Sequence, residues 1–272
     1  MYKLLAIDMD GTLLNSKGNI SEGNKEAIKR AIENGVKVVI TSGRSIGGLN
    51  RFLEHVGLVG ENEYIITNNG GSIYRTNDFK CISYKGLKGS DLMKAYKLSK
   101  ELGVKISAYV EEGCIFPEDN EFVKFEREHI GTPVKIIDFD KDVNDNDEIA
   151  KILFLGKDND FENYEEKIPR EFFDNYHMVK SLSFVLEMMN KECNKGYGVR
   201  TLAEYLNIKI DEIICIGDQA NDLEMIEYAG LGIAMGNAID DIKNIASYVT
   251  DTNDNDGVAK AIYKFVLGSG CK

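Results

Sequence analysis

A chain of 272 residues, 43% of them apolar, can fill one large core or two smaller ones and is unlike a disordered polymer. Its 45 acidic against 33 basic side chains leave a net charge of −12, which argues against a general nucleic-acid binder and against an anionic membrane surface as partner. Any phosphate site on such a chain must be locally basic or carry a metal.

Lys3-Leu4-Leu5-Ala6-Ile7 reads as a buried strand and runs into Asp8-Met9-Asp10-Gly11-Thr12-Leu13-Leu14. Side chains alternate along a strand, so Asp8 and Asp10 are expected to point the same way at its carboxyl end, with Gly11 turning the backbone. Two carboxylates held that close call for a cation or a shared proton, and oxygen ligands suit magnesium. A carboxylate can also attack phosphorus and form an aspartyl-phosphate. Taken alone, such a pair is more often two solvated acids in a polar turn.

Ser21 is the expected N-cap of a helix ending at Gly35, with Ala27, Ile28, Ala31 and Ile32 on its apolar face. Val36–Ile40 is a second strand, and strand, helix, strand within so short a span predicts a parallel βαβ unit whose ligands gather beyond the strands' carboxyl ends. There stand Thr41-Ser42-Gly43-Arg44, before a helix bearing Leu49, Phe52, Leu53 and Val56. These residues suit either an anion site or an ordinary serine N-cap. A third strand, Tyr64–Thr67, runs into Asn68-Asn69-Gly70-Gly71, a hairpin signal before Ser72-Ile73-Tyr74.

From about Tyr84 the pattern changes to an inserted α+β module. Helices are expected over Ser90–Leu102, Asn120–His129 and Phe161–Phe173. The alternation of Val104, Ile106, Ala108 and Val110 predicts a half-exposed antiparallel strand. Ile149–Gly156 and Ser183–Met189 read as further strands, and the acidic run Asp138–Glu148 as a solvated loop. Glu111, Glu112 and Cys114-Ile115-Phe116 are either a substrate-facing loop or a polar turn and core strand. His55, His129 and His177 sit in no motif.

The parallel pattern returns with a helix over Gly196–Leu206 and a buried strand Ile213–Ile216. That strand ends at Gly217-Asp218-Gln219-Ala220-Asn221-Asp222, where Asn221 or Asp222 opens a helix through Ala229. Leu231–Met235 is a further strand, and a last helix runs from Asp256 to Leu267. Five cysteines, Cys81, Cys114, Cys193, Cys215 and Cys271, are odd in number and form no C-x-x-C pair, so neither a disulfide framework nor a zinc site is expected. Cys81, Cys114 and Cys215 lie in apolar runs and read as small core residues. With no signal peptide and no apolar run of about 18 residues, the expectation is a soluble, cytoplasmic protein.

Three strand ends thus carry polar clusters: Asp8 with Asp10, Ser42 with Gly43, and Asp218 with Asn221 and Asp222. Lys195 precedes a helix in the same half. The four motifs, in this order, resemble the haloacid dehalogenase-like phosphatase superfamily and its Cof-type sugar-phosphatase-like subgroup. The carriers are Asp8–Leu14, Ser42-Gly43-Arg44, Lys195-Gly196 and Gly217–Asp222. The stretches Ala234–Ala238 and Asn255–Ala259 look like the same subgroup. Serine stands at 42 where the family more often has threonine.

The resemblance implies a Rossmann-like α/β core with helices on both faces, in segments 1–83 and 189–272, and an inserted α+β cap over 84–188. It implies Asp8 as nucleophile and Asp10 as acid and base. Magnesium would be held by Asp8, the Asp10 carbonyl and Asp218. Asp222 would support from behind, and Ser42, Gly43, Lys195 and Asn221 would hold the phosphoryl group. The expected partner is a small phosphorylated metabolite. A sugar phosphomutase and a non-catalytic phospho-acceptor or sensor are the rival functions. Steady phosphate release from many esters would speak against the first, and the intact Asp10 counts against the second.

Overall fold

The computed structural model describes residues 1–46 and 49–268, so Cys271 lies outside the described residues. The chain divides into two units. One gathers the stretches that begin at Met1, Leu49 and Asn194, and the other is built on Lys85–Cys193.

The first unit is organised by an eight-stranded sheet. Its strands lie side by side in the order Tyr248–Val249, Leu231–Ala234, Ile213–Gly217, Leu4–Asp8, Lys37–Thr41, Tyr64–Thr67, Ser72–Arg75 and Cys81–Tyr84. The first six are parallel, and the last two are antiparallel additions. Leu4, Leu5, Ala6 and Ile7 are all buried, as a continuous apolar run must be when both faces of a parallel sheet are covered. Helix Glu22–Glu33 packs on Gly257–Phe265, and Lys195–Tyr205 on Leu223–Tyr228. The Ser21 hydroxyl caps its helix as expected, accepting from the Asn24 N–H at 3.1 Å.

The expected helix after Ser42 begins only at Asn50, with Leu49 at its N-cap position. Ser42 therefore caps no helix. Its hydroxyl accepts instead from the Arg44 N–H at 3.1 Å, a local turn that competes with helix formation. The 68–71 signal does form a hairpin, with Tyr64–Thr67 paired to Ser72–Arg75. Cys81 is exposed rather than core, because its short strand is the sheet's edge, whereas Cys114, Cys193 and Cys215 are buried.

The second unit carries a six-stranded sheet in the order Tyr176–Leu182, Val185–Asn190, Lys151–Leu155, Lys105–Val110, Gly113–Phe116 and Val134–Ile136. Lys105–Val110 is an interior strand with both faces buried: Ile106 and Ala108 join one apolar cluster and Tyr109 another. Its alternation therefore separates two packed faces, not core from solvent. Cys114, Ile115 and Phe116 are core strand. The helix expected over Phe161–Phe173 is two short ones, Tyr164–Lys167 and Arg170–Asn175, because Pro169 supplies no N–H and forces Ile168 into extended geometry. The acidic run is not all loop. The Asp138 carboxylate accepts from the Asp140 N–H at 3.1 Å, starting a helical turn over Phe139–Asp142 that buries Phe139.

Candidate active site

Strand register sets the site. Asp8 lies opposite Thr41, and Ile7 opposite Ile216, so Asp8, Thr41 and Gly217 end three adjacent parallel strands at one level. The chain leaves Leu4–Asp8 to one side through Lys37–Thr41 and later builds out on the other side from Ile213–Gly217. This is a topological switch point, where the strand ends open a crevice.

Asp8, Lys195, Asp218 and Asp222 are all buried there. The Lys195 ammonium donates to Asp8 Oδ1 and, at 2.5 Å, to Asp222 Oδ1. The second Asp222 oxygen accepts the backbone N–H groups of Asp218 at 2.8 Å and Gln219 at 3.0 Å. Asp222 is thus fully engaged in holding Lys195 and the turn. Asp218 accepts from the Thr12 hydroxyl at 2.8 Å and from Gln219 Nε2 at 3.2 Å.

Burial raises the Asp8 pKa well above the usual carboxylate range; the Lys195 charge opposes this, and the Asp222 and Asp218 charges add to it. Burial likewise raises Asp218, against the Thr12 hydrogen bond. Burial alone would lower Lys195, but the two carboxylates beside it outweigh that and keep the ammonium charged.

Three buried carboxylates, Asp8, Asp218 and Asp222, bring ligand oxygens within 4.8 Å of one another. One ammonium cannot balance them. The surplus negative charge and the all-oxygen donor set fit a hard divalent cation.

Asp10 departs from the expected alternation. The strand ends at Asp8, and the Asp10 side chain, beyond it, is 55% exposed. Arg44 grips its carboxylate with a fork, Nε at 2.9 Å and a terminal nitrogen at 2.6 Å. Ser42 is buried, and its carbonyl accepts the Asn69 N–H at 3.0 Å. Asn221 donates from Nδ2 to Asn69 Oδ1 at 3.0 Å.

Asn237 of the Ala234–Ala238 stretch donates to the Gly11 carbonyl at 2.8 Å, and Asn253 to the Leu14 carbonyl at 2.9 Å, so two late asparagines clamp the Asp8–Leu14 loop. Thr12 and Asn69 escaped sequence reasoning as site residues. The first hid inside the Asp8–Leu14 motif, and the second read only as turn chemistry. Among the described residues no helix is long and apolar enough to cross a membrane.

A family described as haloacid dehalogenase-like hydrolase matches residues 5–262. Over 98% of its length the chain is 38% identical to the Bacillus subtilis (strain 168) protein named "Putative phosphatase YxeH", 99% of which is covered. It is 33% identical to the 5-amino-6-(5-phospho-D-ribitylamino)uracil phosphatase YcsE of the same organism, with 97% of this chain and 96% of that one covered. A haloacid dehalogenase-like hydrolase from Bacteroides thetaiotaomicron superposes with a TM-score of 0.85 at 30% identity, covering 96% of this chain and 98% of that one.

Proposed function

Because the chain belongs to the haloacid dehalogenase-like hydrolase family and is a phosphatase, we propose that it hydrolyses small phosphate monoesters with magnesium through an aspartyl-phosphate on Asp8. The observation that carries this reading is the buried Asp8–Lys195–Asp222 chain beside Asp218. It offers a nucleophilic carboxylate, a fixed cation for phosphoryl oxygens and surplus negative charge for a metal. Asp8 attacks phosphorus as the ester P–O bond breaks, and Asp10, protonated and released from the Arg44 fork, gives its proton to the departing alkoxide. Asp10 then takes a proton from the water that attacks the acyl phosphate, freeing inorganic phosphate and Asp8.

Ser42, the Gly43 N–H, Lys195 and Asn221 hold the phosphoryl oxygens, while Asp222 keeps Lys195 in place. Magnesium would be held by Asp8, Asp218 and the Asp10 carbonyl, and when bound it supplies charge neutralisation of the phosphoryl oxygens. The insert, residues 85–193, is taken as the family's cap, the module that selects leaving groups.

Sugar phosphates and similar metabolites are the substrate class. The relative YcsE is named for a phosphorylated ribityl compound, a monoester of a polyol chain, which supports this choice. The described cysteines are free thiols, which suits a reducing compartment such as the cytoplasm. The test is phosphate release from hexose phosphates, pyridoxal phosphate, flavin mononucleotide and an aryl phosphate, with magnesium and with chelator. Chelator-sensitive release is expected. No release from any ester by folded protein would overturn the reading.

A further inference from the structure

Asn68, Asn69 and Gly70 all have positive φ, at 51°, 51° and 90°. Three successive residues in left-handed geometry are rare outside Asn and Gly and persist only where the surroundings impose them. Here the turn is fastened to the second motif. The Asn68 N–H donates to the Arg44 carbonyl and the Asn69 N–H to the Ser42 carbonyl, each at 3.0 Å. It also abuts the segment that carries Lys195. A Cβ on Gly70 would stand 2.0 Å from the Asn194 carbonyl oxygen, so only glycine allows this approach. Its middle side chain reaches the fourth motif, where Asn69 Oδ1 accepts from Asn221 Nδ2 at 3.0 Å. The same oxygen would lie 3.0 Å from a Cβ on Gly43, so the missing side chain at 43 makes room for it.

We propose that Asn69 is a positioning residue of the phosphate site, acting through Asn221 and against Gly43. The inference rests on the phosphatase reading and deepens it. A carboxamide has a donor end and an acceptor end. By accepting one Asn221 N–H, Asn69 fixes which end is which and leaves the second N–H of that nitrogen for a phosphoryl oxygen. Without it the Asn221 amide is free to turn over and present its carbonyl oxygen, which repels the phosphate. The left-handed backbone explains why asparagine serves here: it tolerates the conformation and carries an acceptor on a short stem.

The test is a double-mutant cycle of Asn69→Gly with Asn221→Ala. Glycine allows the left-handed backbone and removes the side chain with its carboxamide. The readouts are the Kd of inorganic phosphate in the presence of magnesium, KM and kcat for an active ester, and the unfolding midpoint. Asn69→Gly is expected to raise Kd and KM about tenfold with a much smaller change in kcat. In the Asn221→Ala background the same change should cost less than about twofold, since the residue it acts through is gone. Unchanged Kd and KM in Asn69→Gly, or losses that simply multiply in the double variant, would overturn the proposal, whatever the midpoint does. A wild-type chain that binds phosphate but releases none would sink the phosphatase reading instead, and the cycle on Kd still decides the role of Asn69.

Discussion

Gly11 lies directly against Asp218: a Cβ added to Gly11 would stand 2.4 Å from the Asp218 Oδ2 atom. The two residues are more than two hundred positions apart, yet the first loop leaves no space for a side chain because the fourth motif's carboxylate fills it. Gly11 also has φ +84°, a conformation that costs an L-residue about 1–2 kcal/mol. Gly11→Ala is therefore expected to displace Asp218 from the Thr12 hydroxyl. Magnesium affinity, measured as the metal concentration for half-maximal phosphate release, should weaken at least about tenfold. An unchanged metal requirement would show that Asp218 is not a ligand.

In the proposed mechanism Asp8 and Asp10 divide the two halves of the chemistry, and their surroundings differ, one buried on Lys195 and the other exposed on Arg44. Asp8→Asn should lower turnover by at least about a thousandfold, because an amide does not form the acyl phosphate. The far-ultraviolet dichroism should stay native. Asp10→Asn should cost about a hundredfold to ten-thousandfold for an alkyl phosphate and much less for an aryl phosphate, whose leaving group needs no proton. Equal losses on both esters would remove Asp10 from the acid role.

Much of this site is legible in the chain because its residues come at strand ends, and strand ends follow apolar runs. Ile213–Ile216 before Gly217-Asp218 is as readable as Leu4–Ile7 before Asp8. What local pattern does not carry is the contact between distant segments. Nothing near Asn69 announces Asn221, and nothing near Thr12 announces Asp218; register across the sheet brings each pair together. The same limit explains the insert. Periodicity finds Lys105–Val110, but whether its second face meets solvent or another layer depends on what folds over it.

Phe139 gives a direct check of that last point, since it sits in an acidic stretch that reads as loop yet is only 1% exposed. It packs edge-on against Tyr96, with ring centroids 5.2 Å apart. Phe139→Ala should destabilise the insert by about 3–5 kcal/mol, the usual cost of emptying a buried aromatic site. Ile136, nearby in sequence and 45% exposed, should tolerate alanine within about 1 kcal/mol. Denaturant unfolding monitored by hydrogen exchange of the insert's amides separates the two. Similar small effects would return Phe139 to a loop.

The raised carboxylates at the site make the metal-free protein sensitive to pH in a defined direction. Asp8 and Asp218 bind protons more readily folded than unfolded, because burial penalises their charged forms. A group raised in the fold contributes stability that is full below its unfolded value, about 3.9, and is lost as pH rises through its folded value. Lys195 is raised as well, so its contribution holds throughout that range and fails only in strong alkali. Metal-free protein should therefore lose stability as pH climbs from about 4 towards neutrality.

Magnesium, which the proposed mechanism places on the ionised carboxylates, should reverse that loss, by about 2.7 kcal/mol at a hundred times its Kd. Its stabilisation should be larger at pH 7 than at pH 5, since at the lower pH it must displace protons. Asp218→Asn removes one of the two raised groups and should flatten the pH dependence while weakening the response to magnesium. Unfolding midpoints at several pH values, with and without the metal, decide the matter. A magnesium effect that does not grow with pH would mean that these carboxylates are not where the metal binds.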